Sequence, residues 1–364
     1  MKILIPVVGF GKEGGYRVLS NLANTWIEMK HEVTFLSVSD SIEPYYPTQA
    51  KILWVDEKGF VPKNLLLKYK RTFKFIKNFY SLYKGLNALR NKKYDIVLAN
   101  QSYTTFPVIL SNIKSLKVYY IQADEVENQK ILGGWKNDIL SRFSRLSYSF
   151  NLYRIVNSPL YLDYKYIKAN DFVLPGLDFS LFYPKDLLLD HYRNGSIKIG
   201  CIGRKASFKG TNDVINAFLI LRKENIEIEL FVAFGDEDLN EISNVTTCIP
   251  ANDSELADFY RKVDILIAPG TIQLGAVHYP VIEAMACGTP VITTGYSPAD
   301  NTNSWIVPIN SPGQIAETVK KILTDKSIKV KTQKAFEDIK DMGWEKTSLK
   351  MIKCFEKEID KRQI

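Results

Sequence analysis

The sequence predicts an α/β protein built from two doubly wound parallel sheets. Two observations carry this prediction: short β-branched strand patterns alternate with amphipathic helix patterns, and this alternation breaks once near the middle of the chain. Parallel neighbouring strands need a crossover, so alternating strands and helices form a parallel sheet with helices on both faces. At about 150 residues per domain, 364 residues allow two to three domains.

The first half contains five apolar strand patterns with helix patterns between them. The helices are expected near residues 16–30, 63–92, 103–112 and 128–149. The predicted strands are the segments KILIPVV, EVTFLSV, KILWV, DIVLAN and KVYYIQ.

Residues 175–196 are rich in turn residues and are typical of a linker. A second strand series follows, and its helices are expected near residues 210–223, 253–262, 280–287, 313–325 and 328–360. Its strands are IKIGCIG, IEIELFVAF, DILIAPG, PVITTG and SWIVPI. We therefore predict an N-terminal domain over 1–185 and a C-terminal domain over 186–342. Because ligands of such sheets bind at the carboxyl ends of the strands, we expect the site in the cleft between the halves.

Composition excludes several classes of protein. A hydrophobic fraction of 46% and a charged fraction of 24% are typical of a globular chain, not a disordered or fibrous one. Four cysteines without paired short spacing and three scattered histidines argue against a disulfide scaffold or a histidine-based metal site. No uninterrupted apolar run is long enough to span a membrane. We therefore expect a cytoplasmic protein.

The net charge of +8 is unevenly distributed. Residues 58–93 contain eleven Lys or Arg side chains and no Asp or Glu, interleaved with aromatic residues. Nucleic acid, an anionic membrane and an acidic acceptor each fit this pattern, as does a solvated helix face.

The loop after the first strand, residues 9–15, matches the GxGxxG dinucleotide fingerprint. In a dehydrogenase interpretation, Asp40 at the end of the second strand would bind the ribose. A second interpretation has Gly14 and Gly15 expose backbone N–H groups to an anion at a helix N-terminus. A structural turn explains the same glycines.

The loop after the sixth predicted strand, residues 203–210, carries three cations: Arg204, Lys205 and Lys209. Cations beside the amino end of a helix suit a diphosphate, because fixed charges and the helix dipole act together. The loop lacks the GK[ST] ending of a Walker loop. A basic surface cluster is the alternative.

Glu283 is the only acid between Asp264 and Asp300, within an apolar helix pattern. A carboxylate in apolar surroundings must be paired or hydrogen-bonded, and sugar hydroxyls are suitable donors. His278, five residues earlier, is either a packed histidine or a substrate contact.

Asp236-Glu237-Asp238 forms a DxD pattern, which holds a divalent metal in some transferases. Carboxylates suit Mg²⁺ or Mn²⁺, but no second acidic cluster supports such a site. A solvated loop or a helix cap is the favoured interpretation, and no metal is expected.

Four segments together are similar to glycosyltransferase family 4. GRKASFKG resembles the GR-x4-KG loop of that family, and YPVIEAMACGTPVI resembles its Glu-bearing helix and the following strand. GGYRVLSNLANTWIEMKHEV resembles the N-terminal GG loop and first helix, and FVLPGLDFSLFYP resembles the PGxD-x3-F-x-P linker. The YIQxxE and YPxxE runs are similar to a subgroup that includes rhamnosyltransferases.

This resemblance implies a GT-B fold and a retaining, metal-independent transfer of a sugar from a nucleotide-diphosphate donor. The acceptor would be a glycan or lipid-linked glycan of the bacterial surface, bound by the N-terminal domain, and a terminal helix over 343–364 would pack back on that domain. No cofactor and no nucleic acid are expected, and the basic segment 58–93 would contact an anionic membrane. The resemblance assigns the diphosphate to Arg204, Lys209, Gly14 and Gly15, the ribose to Glu283, and candidate sugar or acceptor contacts to His278, Tyr279, Gln122 and Asp124.

The chain departs from the family pattern at three places. Gly275 stands where the family has the first acid of its EX7E pair, GAVH replaces the usual EGFG run, and YYIQADE lacks a frequent histidine. These changes bear on sugar recognition and leave the phosphate and ribose contacts in place. The alternatives are a GT-B-fold sugar-nucleotide epimerase and a non-catalytic sugar-nucleotide-binding relative.

Overall fold

The computed structural model describes residues 1–62, 74–184, 196–203 and 206–362, the side chains of residues 74 and 75 excepted. The chain divides into two compact units. The N-terminal unit comprises Met1–Gly176 and Trp344–Ile364, and the C-terminal unit comprises Leu177–Gly343. The boundary expected at residues 185 and 186 lies outside the described residues.

The N-terminal unit contains an eight-stranded sheet in the order β4-β3-β2-β1-β5-β6-β7-β8. All neighbouring strands run parallel except β3 and β4. The five strands predicted here are present, whereas β4, β7 and β8 were not predicted. The strands are β1 (Lys2–Val7), β2 (Glu32–Val38), β3 (Lys51–Val55), β4 (Phe60–Val61), β5 (Ile96–Ala99), β6 (Leu116–Ile121), β7 (Tyr153–Val156) and β8 (Asp171–Phe172).

The C-terminal unit contains a six-stranded, wholly parallel sheet in the order β11-β10-β9-β12-β13-β14. Fully buried Ile, Leu and Val side chains of the strands form its core with the helices on the sheet, as an α/β sheet covered on both faces requires. The strands are β9 (Ile197–Ile202), β10 (Ile228–Ala233), β11 (Val245–Cys248), β12 (Ile265–Ala268), β13 (Val291–Thr293) and β14 (Trp305–Ile306).

Eleven α-helices occur among the described residues. The first five and the last belong to the N-terminal unit, and the others belong to the C-terminal unit. They are α1 (Gly14–Glu28), α2 (Lys74–Ala88), α3 (Ser102–Leu110), α4 (Glu125–Leu132), α5 (Trp135–Ser147), α6 (Thr211–Lys223), α7 (Asp253–Lys262), α8 (Tyr279–Ala286), α9 (Pro312–Ile322), α10 (Ile328–Ile339) and α11 (Trp344–Arg362).

Two helices predicted as continuous are each divided in two. The helix expected over 128–149 is α4 and α5, because Gly133 and Gly134 have φ values of 64° and 84° that end one helix before the next begins. The helix expected over 328–360 is α10 and α11, separated at residues 340–343. Of the helix expected over 63–92, residues 63–73 lie outside the described residues.

The last helix packs on the first. The Trp26 indole N–H on α1 donates to the Ser348 carbonyl oxygen on α11 at 3.3 Å, and the rings of Trp26 and Phe355 lie 6.0 Å apart. The predicted class of two parallel α/β sheets is confirmed. Among the described residues, every helix is too short or too polar to cross a membrane.

Candidate functional site

The loop between β9 and α6 packs tightly against the segment that follows β12. Gly210 ends the loop with φ of 75°, and a Cβ atom at this position would stand 2.3 Å from the Pro269 carbonyl oxygen. The Thr271 N–H donates to the Phe208 carbonyl oxygen at 2.9 Å. The two loops therefore form one layer at the carboxyl edge of the sheet.

This layer lies at the point where the sheet changes winding direction. β9 pairs with β10 on one side and with β12 on the other, so helices following β9 and β12 lie on opposite faces. In open α/β sheets the crevice at such a switch point is where ligands bind. The loop over residues 203–210, which the sequence predicts to bind a diphosphate, therefore follows the strand at this switch point.

Lys209 lies in this layer, on the short 3-10 turn Ser207–Lys209 directly before α6. Its side chain is half-buried, and its Nζ atom lies 5.3 Å from the centre of the Phe208 ring. Arg204 and Lys205, the other cations of the loop, lie outside the described residues. The structure thus places one of the two expected diphosphate cations at the amino end of a helix, where the dipole also favours an anion.

Glu283 is buried on α8, with 2% of its surface exposed. Its Oε2 atom accepts a hydrogen bond of 2.7 Å from the hydroxyl of Tyr260 on α7, which is fully buried. The expectation that Glu283 is hydrogen-bonded within an apolar helix is therefore confirmed, and its donor, Tyr260, is one that no local sequence pattern indicates.

His278 and Tyr279 form the start of α8. His278 is the N-cap residue, and its ring stacks on Tyr296 with centroids 4.4 Å apart and an angle of 26° between planes. The Tyr296 hydroxyl donates to the Ile272 carbonyl oxygen at 3.0 Å. The imidazole therefore has a fixed orientation at the amino end of the helix that carries Glu283.

Gly275, which stands where the family pattern has an acid, lies in a tight turn. Its φ is 89°, and its N–H donates to the Gly295 carbonyl oxygen, just beyond β13, at 2.8 Å. This positive φ favours glycine over other residues at the position. The glycine that replaces the family's first acid therefore has a positive φ and a backbone hydrogen bond to Gly295.

In the N-terminal unit, two of the predicted groups meet at the carboxyl edge of the sheet. Gly14 and Gly15 open α1 directly after the β1 loop, and Glu13 at the N-cap gives the helix no side-chain hydrogen bond. The Gln122 side-chain amide, which follows β6, donates to the Gly15 carbonyl oxygen at 3.3 Å. A Cβ atom on Gly14 would meet no described atom within 4 Å, so the helix start is open for an incoming group.

Asp124 has a different place from the one expected. It is fully buried, it caps α4 by accepting from the N–H groups of Val126 and Glu127, and it accepts from the hydroxyls of Tyr148 and Tyr166. Its oxygens serve the helix cap and the tyrosines around it. We therefore remove Asp124 from the candidate sugar and acceptor contacts.

The neighbouring Glu125 joins three elements of the N-terminal unit. Its Oε1 atom accepts from the Ser102 N–H at 2.8 Å and from the Tyr119 hydroxyl at 3.2 Å, and the Ser102 hydroxyl donates to Oε2. Burial raises the pKa of the Glu125 carboxyl above its ordinary value, although the bonds from Ser102 act in the opposite direction. No signal in the sequence distinguished Glu125 from its acidic neighbour.

The DxD pattern lies on an exposed 3-10 turn. Asp236 precedes the turn Glu237–Glu241, and the three acids are exposed. Among the residues that the structure describes, no group of three or more His, Cys, Asp or Glu side chains could hold a metal ion. The expected absence of a metal stays a prediction.

The basic segment 58–93 is described only in part, since residues 63–73 lie outside the described residues. On α2, the Lys77 Nζ atom lies 3.6 Å from the Glu57 carboxylate, and the Lys84 ammonium donates to the Glu57 carbonyl oxygen at 2.9 Å. Membrane contact through this segment stays a prediction.

The chain is similar in sequence and in fold to known glycosyltransferases. Residues 196–325 match the family described as Glycosyl transferases group 1. The chain is 28% identical over 203 residues to D-inositol 3-phosphate glycosyltransferase of Paenarthrobacter aurescens (strain TC1), covering 49% of each chain. It is 27% identical over 150 residues to the capsular polysaccharide biosynthesis glycosyltransferase CapM of Staphylococcus aureus, covering 37% of this chain and 39% of CapM. A sucrose-phosphate synthase structure from Thermosynechococcus elongatus superposes with a TM-score of 0.77 at 17% identity, covering 99% of both chains.

These comparisons confirm the predicted resemblance to glycosyltransferases of this group, and the predicted GT-B fold is confirmed. The family match covers the part of the C-terminal unit that carries Lys209, His278 and Glu283. The chain spans about half the length of the inositol-phosphate relative, at 49%, and 39% of CapM.

Proposed function

We propose that this chain is a retaining, metal-independent glycosyltransferase that uses a nucleotide-diphosphate sugar. One observation supports this above all: a lysine at a helix amino end and a buried glutamate-bearing helix follow the adjacent strands β9 and β12 of one parallel sheet. The family match extends over both elements. A basic group and a carboxylate at a switch point suit the two halves of a nucleoside diphosphate, its phosphates and its ribose.

In this proposal, Lys209 and Arg204 bind the diphosphate of the donor. The amino end of α6 adds the positive end of a helix dipole beside Lys209. When the bond between the sugar and the diphosphate breaks, its electron pair moves to the phosphate oxygen, and negative charge builds up there. Cations fixed beforehand stabilise this charge, and such electrostatic stabilisation commonly contributes more to the rate than any other effect.

Glu283 is proposed to accept hydrogen bonds from the ribose hydroxyls of the donor. Tyr260 already holds its Oε2 atom, so this tyrosine is the positioning residue that orients the carboxylate. His278 and Tyr279, at the start of the same helix, are proposed contacts of the transferred sugar. The rigid stacking of His278 on Tyr296 would hold the imidazole in a single orientation.

The N-terminal unit is proposed to bind the acceptor, a glycan or lipid-linked glycan. The start of α1 at Gly14 and Gly15, with the Gln122 amide beside it, is proposed to offer backbone N–H groups both to the donor diphosphate and to the acceptor. The relative CapM is named for capsular polysaccharide biosynthesis. We therefore include bacterial surface polysaccharide synthesis, in the cytoplasm or at the inner membrane face, in the proposal.

The test is a calorimetric titration of the full chain with UDP, GDP and dTDP and with the matching monophosphates. We expect one diphosphate to bind more tightly than its monophosphate. Lys209→Ala should lower the affinity for that diphosphate by about tenfold to hundredfold, which corresponds to the loss of a charge-assisted contact of roughly 1.5–3 kcal/mol. The control is Lys223→Ala, an exposed lysine in the last turn of the same helix α6, which should bind as the wild type does.

Equal affinity of Lys209→Ala and wild type for every nucleotide would contradict the assignment of this loop to the diphosphate. Conversion of a sugar nucleotide to its epimer without acceptor would instead identify the epimerase. Tight nucleotide binding with no turnover on a panel of acceptors would identify a non-catalytic relative.

A further inference from the structure

Helix α5 of the N-terminal unit presents its apolar side outward. Its buried residues include three serines, and the Ser144 hydroxyl lies 3.2 Å from the Ser102 hydroxyl of α3. Trp135 is 70% exposed, and the exposed fractions of three further apolar side chains run from 38% to 49%. We call these four residues the α5 face: Trp135, Ile139, Phe143 and Leu146.

The geometry of the helix gathers these side chains into one stripe. At about 100° per residue, the four positions fall within an arc of roughly 80°. The serines at 141, 144 and 147 lie on the opposite side. A helix on a globular protein ordinarily buries its apolar stripe and exposes its polar one. Phe143 contacts the Phe106 ring of α3 edge to face, with ring centroids 5.9 Å apart. All four side chains are nevertheless more than one-third exposed, so the stripe lies outside the core of this unit.

The surroundings of the α5 face are cationic. Between residues 130 and 147 the chain carries four exposed basic side chains and one acid, Asp138. The apolar surface continues onto the end of α4, where Ile131 and Leu132 are also exposed. The basic residues are Lys130, Lys136, Arg142 and Arg145.

We propose that the α5 face is a binding surface for an anionic lipid bilayer. An apolar stripe flanked by Lys and Arg lies in the plane of a membrane interface, with its apolar side among the acyl chains and its cations at the head groups. Trp135 at one end of the stripe suits that boundary, because its ring is apolar and its N–H needs a polar partner. Each basic side chain is additionally attracted to the anionic lipids.

The charges argue against a second copy of the chain as the occupant. Two α5 faces brought together would place four cations of one copy near four of the other, and like charges close together are unfavourable. A bilayer of anionic lipid has the complementary charge. This proposal concerns binding alone and stands whether or not the chain transfers sugars.

The test is co-sedimentation of the full chain with vesicles of phosphatidylcholine alone or with one quarter phosphatidylglycerol, at low and high salt. We expect binding to the anionic vesicles, weaker at high salt because screening shortens the reach of the charges. Trp135→Ser/Ile139→Ser/Leu146→Ser should reduce binding by at least about tenfold, since it removes the apolar contacts. The matched control, Ile249→Ser/Ile309→Ser/Val330→Ser, replaces three exposed apolar residues of the C-terminal unit and should bind as the wild type does.

A second measurement addresses the location of the contact. Brominated lipids should quench the tryptophan fluorescence of the wild type more than that of Trp135→Phe. Thermal unfolding of each variant should match the wild type, because the replaced side chains are exposed.

Three results would overturn the proposal. The first is a wild type that stays in the supernatant with anionic vesicles. The second is that the triple serine variant of the α5 face binds vesicles as well as the wild type does, while Lys70→Glu/Arg71→Glu/Lys74→Glu/Lys77→Glu loses vesicle binding. That result would assign the membrane contact to the basic segment 58–93. The third is concentration-dependent dimerisation that the α5-face variant abolishes without any vesicle binding.

Discussion

Removing the Tyr260 hydroxyl should destabilise the C-terminal unit by a measurable amount. The Tyr260 O–H donates to the Glu283 carboxylate at 2.7 Å, and both side chains are buried. Tyr260→Phe keeps the ring that packs beside Phe259 and Phe182 and deletes only the donor. The buried carboxylate then loses a charge-assisted hydrogen bond, a loss of about 1.5–3 kcal/mol in the free energy of unfolding.

The assay is thermal and urea unfolding of the ligand-free chain, followed by far-ultraviolet circular dichroism, which reports on the unfolding of both units. For a unit of this size, 1 kcal/mol shifts the Tm by about 2–4 °C, so Tyr260→Phe should lower it by roughly 3–12 °C. The control is Tyr120→Phe. Tyr120 is fully buried on β6, and its hydroxyl has no hydrogen-bond partner among the described residues, so its removal should cost little or nothing.

The same pair tests the ribose assignment. Glu283→Gln keeps an oxygen for the Tyr260 hydroxyl but loses the charge. It should therefore lower the affinity for a ribonucleoside diphosphate more than the affinity for the 2′-deoxy form. A Tyr260→Phe variant as stable as the wild type would refute the claim that this hydroxyl holds the carboxylate. Equal losses for the ribo and deoxy ligands in Glu283→Gln would refute a contact between Glu283 and the 2′-hydroxyl of the ribose.

Three further predictions follow from the site and its surroundings. Gly210→Ala should lower the free energy of unfolding, measured by urea titration, by roughly 1–3 kcal/mol, because alanine is strained at φ of 75° and its Cβ would meet a backbone oxygen. Gly313→Ala is the control, since a Cβ there would meet nothing within 4 Å, and it should lose no stability. Burial raises the pKa of the Glu125 carboxyl in the folded state above its value in the unfolded state. The contribution of this carboxyl to stability is therefore complete at pH values below the unfolded-state pKa, and it is lost as the pH rises through the folded-state pKa. Glu125→Gln should therefore gain stability relative to the wild type over that rise in pH, and a difference independent of pH would contradict the assignment. Transfer activity should survive EDTA, because cationic side chains are proposed to act at the diphosphate; complete loss restored by Mn²⁺ would return the acids at Asp236 and Asp238 to consideration as ligands.

The strands of both sheets were largely predictable because their interiors are continuous apolar runs. β1, β9 and β12 are buried on both faces and can be recognised without knowledge of their neighbours. The division of the predicted helix 128–149 was missed although the Gly133-Gly134 pair is a turn signal in the sequence. Both glycines have positive φ values, a conformation that glycine adopts readily and that ends α4 before α5 begins.

The site was predictable where its groups are close in sequence and was missed where they are distant. Lys209 and Glu283 were identified from local patterns, and they stand on the elements that follow the adjacent strands β9 and β12. The bond between Tyr260 and Glu283 joins two helices whose registers no local pattern specifies. Asp124 and Glu125 are adjacent acids in the sequence, and only the structure shows that Asp124 caps α4 by accepting from the Val126 and Glu127 N–H groups.

The most direct test of the central claim is incubation of the full chain with UDP-, GDP- and dTDP-sugars, with and without lipid-linked glycan acceptors. The account predicts stoichiometric release of a nucleoside diphosphate and a glycosylated acceptor, with the anomeric configuration of the donor retained in the product by NMR. It also predicts that Lys209→Ala abolishes most of this turnover while Lys223→Ala does not. Release of the nucleoside diphosphate with inversion, an epimerised sugar nucleotide without acceptor, or full turnover by Lys209→Ala would contradict it.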